Sequence, residues 1–303
     1  MMTPARRVPM AFETVRTLSS LVRLSHTIFG LPFALAAAAL AHRAARAHEQ
    51  AGLDTLRLLS ILLAFTAART AAMAFNRIVD ARFDAENPRT ANREIPRGAV
   101  SLRSAWGLVT LSVVVFLACA WLLGPLPLAL APACVIVVLG YSLLKRFTWS
   151  AHLFLGFALA LAPGAAWVAV RGSFDGWYTP AFLMVAVATW VAGFDVIYSL
   201  QDEAFDRARG LYSIPARFGI GTALRISAVL HVGTVAALVG LHVHEHLGVL
   251  HFAGIAIVTA ILFYEHWIVR PDDLTRVDKA FFDLNGYVSL VYLASILLDL
   301  SLA

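Results

Sequence analysis

The sequence predicts an all-α, polytopic membrane protein with nine transmembrane helices. Composition carries most of that reading: 60% of the 303 residues are hydrophobic and only 14% are charged, where a soluble domain carries about 25% charged residues. The mean hydropathy is +0.75. The apolar residues fall into runs long enough to cross a bilayer, and the basic residues fall between those runs on one side.

A bilayer-spanning helix needs about 20 apolar residues. Runs of that kind cover 20–41, 57–79, 103–123, 126–144, 151–170, 179–200, 220–241, 248–269 and 281–302. The first is preceded by Arg6, Arg7, Arg16 and Arg23, and its core from Ile28 to Ala41 resembles that of a signal peptide. Eight further spans follow it, so it is read as a retained first helix. Turn or charge signals separate the later spans, among them Gly124-Pro125, Lys145-Arg146, the stretch from Gly172 to Gly176, and Pro271-Asp272-Asp273. Both cysteines, Cys119 and Cys134, sit inside apolar runs, where packed thiols are expected and no disulfide framework is implied.

Orientation follows from charge. With a cytoplasmic N-terminus, the cytoplasmic segments hold 19 of the 24 Lys and Arg residues. The opposite side holds only Arg43, Arg46, Arg57 and Arg171, while Arg69 lies inside a span. Positively charged loops stay on the cytoplasmic side, which predicts a multi-pass protein of the cytoplasmic membrane. Trp177, Tyr178 and Trp267, near span ends, fit an interfacial aromatic belt.

Two acidic clusters interrupt this hydrocarbon. The first is Asn76-x-x-x-Asp80-x-x-x-Asp84, and the second is Asp195-x-x-Tyr198-x-x-x-Asp202-x-x-x-Asp206. A constant offset of 122 residues pairs Asn76 with Tyr198, Asp80 with Asp202 and Asp84 with Asp206. After them, Ile95-Pro96-Arg97-Gly98 echoes Ile214-Pro215-Ala216-Arg217, which suggests two helix–loop units facing one cavity. At about 100° per residue each cluster makes one stripe on a helix, within an arc of roughly 80°. Carboxylates at the edge of a span are costly, about 2.5–3.5 kcal/mol each at a helix centre. A divalent cation with oxygen ligands offsets that cost, and Mg²⁺ is usually held by one or two carboxylates plus phosphate oxygens. The pattern therefore points to a diphosphate held through metal on the cytoplasmic side.

Arg77, Arg82, Arg89, Arg93 and Arg97 lie within or after the first cluster, and Arg207, Arg209 and Arg217 follow the second. Arginine grips phosphate oxygens in pairs, although for most of these residues a topology signal is the better reading. Arg69 differs, because an arginine inside a span is a functional candidate by default. His242, His244, His246 and His251, with Glu245 as the sole carboxylate there, are expected to be solvated at the opposite interface, and His26 to be packed in the first span.

The two complete acidic motifs, together with Arg89-Thr90-Ala91-Asn92-Arg93, resemble the UbiA superfamily of intramembrane prenyltransferases. Tyr141-Ser142-Leu143-Leu144-Lys145-Arg146 resembles that family's fourth-helix loop, and Ser25 to Phe29 and Phe281 to Ser289 are similar to its bacterial quinone-pathway members. The resemblance covers nearly the whole chain, as one UbiA-type domain over 1–303. It implies nine helices around a central cavity, with a polyprenyl diphosphate bound through Mg²⁺ and its tail on the apolar wall beside an aromatic acid acceptor. By motif position, Asp80, Asp84, Asp202 and Asp206 would hold metal, and Asn76, Tyr198, Arg69, Arg93, Lys145 and Arg146 would contact substrate. Asp80, Asp202 and Asp195 are the catalytic candidates, with Asp195 orienting or deprotonating the acceptor.

The implied chemistry suits these residue types. Ionising an allylic C–O bond leaves a cation and a diphosphate, whose charge metal and arginine stabilise. A dry cavity then protects the cation from water. The expected acceptor is 4-hydroxybenzoate, for ubiquinone synthesis, with a naphthoate-type acid for menaquinone as the alternative. A rival of another class is a cation-coupled transporter, which would place its carboxylates near the midplane. The expected partners are these substrates and membrane lipid, with no nucleic acid.

Overall fold

The computed structural model describes Leu21 and residues 27–302, with side chains from Phe29 onward. His26 and the arginines at 6, 7, 16 and 23 lie outside the described residues. Nine long helices run through the described chain: α1 Thr27–Ala47, α2 Thr55–Glu86, α3 Leu102–Leu123, α4 Pro125–Gly140, α5 Ala151–Arg171, α6 Tyr178–Ser199, α7 Ile220–His244, α8 Val249–Ile268 and α9 Asn285–Leu302. Among the described residues, eight segments, those built on α2 to α9, are long and apolar enough to cross a membrane. This is a multi-pass membrane protein. The first expected span is described only from Thr27.

Local chemistry sets the helix ends. Asp54 caps α2 by accepting from Arg57 N at 2.7 Å, and Ser101 caps α3 by accepting from Ser104 N at 3.1 Å. Gly124, at φ 123°, joins α3 to α4 with Pro125 opening the next helix, a hairpin that a residue with a Cβ would strain.

α6 is the buried centre. Its Leu183, Ala186, Val187, Trp190 and Val191 are fully enclosed, and Phe33 of α1 sits between Trp190 and Tyr292 of α9, stacked on the latter at 4.8 Å. Small residues let its neighbours approach closely. A Cβ added at Gly156 of α5 would lie 2.2 Å from Ala188 O, and one at Gly193 of α6 would lie 2.4 Å from the His231 ring. By contrast, α3 and α4 turn large apolar side chains outward, with Ile136 72% exposed and Trp121 67%. Such surfaces face lipid. Tyr178 and Trp267 are exposed near helix ends, as an interfacial belt requires.

Three features of the helices shape the site, and the last two depart from the sequence reading. First, α2 continues seven residues past the apolar run that ends at 79, so Asp80 and Asp84 stand on regular helix, as their stripe requires. Second, the second acidic motif does not lie on one helix. α6 ends at Ser199, a 3₁₀ turn covers Leu200–Asp202, and a short helix, Glu203–Arg209, follows. The tighter i→i+3 winding re-aims the chain there. Third, α9 is preceded by a π-helical turn, Ala280–Leu284. Asn285 Nδ2 donates to Ala280 O at 3.1 Å and to Phe281 O at 3.4 Å, and so satisfies carbonyls at that turn.

The expectation of solvated histidines at the opposite end holds only for His244 and His246, which are exposed. His251 is fully buried, with Nδ1 3.2 Å from Nδ1 of His242, and the two rings stack. Nor is Glu245 the only carboxylate there. Asp299 accepts from Gly248 N at 2.7 Å and His251 N at 3.2 Å, which caps α8. Glu245 binds Arg43 and Thr179 instead. Asp299 thus satisfies backbone N–H groups that the start of α8 leaves open, and Glu245 is taken up by side chains of α1 and α6.

Candidate active site

All eleven residues singled out in the sequence line one cavity of about 250 Å³. It is built from the motif ends of α2 and α6, the 3₁₀ turn Tyr141–Arg146 that extends α4, the start of α5 and the π turn before α9. The break in the second motif does not scatter its residues. Asp195 and Tyr198 project from α6, Asp202 from the 3₁₀ turn and Asp206 from the short helix, and all four face the same space.

Each motif carboxylate meets a base from another part of the chain. Arg146 Nη2 lies 2.9 Å from Asp80 Oδ1, Arg93 Nη1 lies 2.6 Å from Asp84 Oδ1, and Lys145 Nζ lies 2.8 Å from Asp206 Oδ1. Arg89 takes Asp202 with two nitrogens and donates to the Tyr198 hydroxyl with a third at 2.9 Å. Asn76 Nδ2 donates to Asp80 Oδ2 at 2.9 Å, and Asn87 Nδ2 to Asp202 Oδ1 at 2.9 Å. Burial alone would push the Arg89 guanidinium pKa down. The bonds and charge of Asp202 outweigh it and hold the pKa above the ordinary arginine value.

The basic residues that read as topology signals therefore divide. Arg77, Arg89 and Arg93 line the cavity, whereas Arg82, Arg97, Arg207 and Arg217 are exposed. Sequence reasoning also missed Asn87, His152, Tyr141 and Phe281 as cavity residues. Tyr141 lay inside a quoted motif, and Asn87, the residue that ends α2, lay inside a recognisable turn. His152 had no local signal. Phe281 stacks on Tyr198 at 4.1 Å and meets Phe29 and Phe194 edge-on, which gives the cavity an aromatic wall.

A second cavity of about 140 Å³ lies between α2, α3, α4 and α5, lined almost wholly by Ala, Leu, Val and Phe. It shares Arg69, Tyr141 and Leu159 with the first. Arg69 thus stands where polar space meets apolar space, its Nε buried without a hydrogen-bond partner among the described residues. A polar head and a long hydrocarbon tail would fill the two cavities together.

The model of the UbiA prenyltransferase family matches residues 26–288. The chain belongs to that family. This UbiA family member is thus a membrane prenyltransferase, and the transporter reading is set aside. A curated relative from Vibrio campbellii, named 4-hydroxybenzoate octaprenyltransferase, is 29% identical over 241 residues, which are 80% of this chain and 84% of that protein. A protein of the same name from Nitrosospira multiformis is 29% identical over 248 residues, covering 80% and 82%. Among solved structures, an apo UbiA homolog from Aeropyrum pernix K1 is 35% identical with a TM-score of 0.82, covering 91% of this chain and 98% of that one. A UbiA homolog from Archaeoglobus fulgidus bound to DMAPP and Mg²⁺ shares the fold at TM-score 0.72 and 17% identity, covering 95% and 100%.

The motif carboxylates of this UbiA protein offer oxygen, the donor type that Mg²⁺ prefers. Buried Asp84 Oδ2 and Asp206 Oδ2 have no hydrogen-bond partner among the described residues. Among those residues no group of three or more His, Cys, Asp or Glu is gathered closely enough to hold a metal. The carboxylates stand instead in separate acid–base pairs around the cavity.

Proposed function

We propose that this UbiA protein transfers a polyprenyl group from an allylic polyprenyl diphosphate to an aromatic hydroxy acid, 4-hydroxybenzoate, for ubiquinone synthesis. The junction of the polar and apolar cavities at Arg69 and Tyr141 carries this reading. A charged head belongs among the paired bases of the first cavity, and its prenyl tail belongs in the second. The named relatives supply the acceptor. The charge asymmetry of the loops supports a polar cavity that opens on the cytoplasmic side of the cytoplasmic membrane.

Asp80, Asp84, Asp202 and Asp206 would hold Mg²⁺, which when bound supplies positive charge to the diphosphate. Arg89, Arg93, Lys145 and Arg146 add their own charge as the allylic C–O bond breaks and negative charge gathers on the leaving group. Phe281 and Phe194, which line the cavity, offer aromatic surface to the allylic cation. The apolar lining keeps water from it. The ring carbon beside the acceptor hydroxyl attacks, and Asp195 takes the ring proton.

The test is transfer from a radiolabelled polyprenyl diphosphate by membranes containing the protein, against a panel of aromatic acids with and without EDTA. Product on 4-hydroxybenzoate that disappears with EDTA and returns with Mg²⁺ supports the reading. Asp80→Ala and Asp202→Ala should each abolish product while the protein stays folded in the membrane. Transfer only to a naphthoate-type acid would replace the acceptor, and full turnover in chelator would remove the metal.

A further inference from the structure

Asp195 has a partner that neither acidic motif contains. His152, in the first turn of α5, places Nδ1 2.7 Å from Asp195 Oδ2. His152 is only 5% exposed, and both side chains line the polar cavity. The other ring nitrogen faces a backbone donor, since Ile214 N–H donates to His152 Nε2 at 3.4 Å. A backbone N–H only donates, so Nε2 presents its lone pair there. The proton of the neutral ring is then on Nδ1, which donates to Asp195. Ile214 opens the short helix Ile214–Phe218, so its N–H has no partner inside that helix. One imidazole therefore satisfies an orphaned backbone donor and a cavity carboxylate together, and it is locked in one tautomer and one orientation.

We propose that His152 is the positioning residue for removal of the acceptor's ring proton. The inference rests on the function proposed above. His152 engages Oδ2 of Asp195 and leaves Oδ1 to the cavity. After the new C–C bond forms, the attacked ring carbon carries both the prenyl group and a hydrogen. The C–H bond breaks and its electron pair restores the aromatic ring. The proton passes to Asp195 Oδ1, which becomes a neutral carboxylic acid. His152 keeps its own proton throughout, so no charge is created on a buried ring. Its work is to hold Oδ2 by a hydrogen bond and so keep the carboxylate aimed at one place. The same arrangement explains why the loop after the second motif is tied to α5: the loop sets the tautomer.

The experiment compares the full-length wild type with His152→Ala and His152→Asn in membranes. The acceptor is 4-hydroxybenzoate carrying hydrogen or deuterium at the ring carbons beside the hydroxyl. Asn places an N–H where Nδ1–H stood. The Ala variant should lose about 10²-fold in kcat, the scale of a misplaced catalytic group, with little change in either KM. It should also show a primary isotope effect that the wild type lacks, because proton removal becomes slow. The Asn variant should recover most of kcat and lose the isotope effect. Unchanged kcat in the Ala variant would overturn the proposal. Equal loss in both variants without an isotope effect would also overturn it and make His152 a tether for Ile214 alone. If the Ala variant does not accumulate, the Asn variant decides: near-wild-type kcat supports the proposal, and a loss without an isotope effect overturns it. A wild type that prenylates no acid in the panel would instead overturn the function proposed above.

Discussion

Arg89 reaches across 113 residues of sequence to hold Asp202, with Nε 2.9 Å from Oδ1 and Nη2 on Oδ2. The two nitrogens match the two carboxylate oxygens as a fork meets a fork. The bond joins the loop after α2 to the 3₁₀ turn after α6, so the two acidic motifs are fastened to each other. The remaining nitrogen on the Tyr198 hydroxyl extends the link to the aromatic wall.

Because that contact is bidentate, Arg89→Lys should behave much like Arg89→Ala. A lysine supplies a point charge without the fork. Both variants should lose at least about tenfold in kcat/KM for the prenyl diphosphate, a cost of about 1.4 kcal/mol in transition-state stabilisation. Steady-state assays with the acceptor saturating check this, and a fully active Lys variant would reduce Arg89 to a topology charge.

Arg69 sits at the meeting of the two cavities with Nε unpartnered among the described residues. Arg69→Ala should raise the acceptor KM more than the prenyl diphosphate KM, the mark of lost uniform binding to the acid. 4-Hydroxybenzyl alcohol, which lacks the carboxylate, should bind the wild type weakly and be indifferent to the substitution. Equal losses for both substrates would move Arg69 to the diphosphate.

Ala162 lines the apolar cavity and is partly exposed to it. Ala162→Phe should fill part of the space assigned to the tail. Long polyprenyl donors should lose at least about tenfold in kcat/KM, more than 1 kcal/mol. Dimethylallyl diphosphate, which is too short to reach that space, should be used as before. Comparing donors of graded length reads the outcome, and uniform loss across all lengths would place the tail elsewhere.

Charge asymmetry predicts sidedness independently of the family. With Cys119 and Cys134 replaced by Ala, Arg97→Cys and Tyr212→Cys should be labelled by an impermeant maleimide only from the cytoplasm. Phe174→Cys should be labelled only from the other side. All three residues are exposed. Labelling of all three from one side would break the topology.

The sequence alone located the eight membrane-long segments built on α2 to α9 and the positions of both acidic motifs. Long apolar runs and spacings of four are local signals, and Asn76, Asp80 and Asp84 share a helical face because the helix repeat requires it. Hydrophobic periodicity could not tell which face of each helix meets lipid and which meets the core. Ile136 is 72% exposed and Val187 is fully buried, yet both sit in uniformly apolar runs, since lipid tails are as apolar as a protein interior. Nor could composition separate cavity-lining Arg89 from exposed Arg82, or mark His152 as the partner of Asp195. Those pairings join residues 113 and 43 positions apart. They exist only once helix packing, the 3₁₀ turn after α6 and the anchored loop at Ile214 bring separate segments within hydrogen-bond reach. Hydrogen bonds act over about 3 Å, and no local pattern in the chain carries that distance.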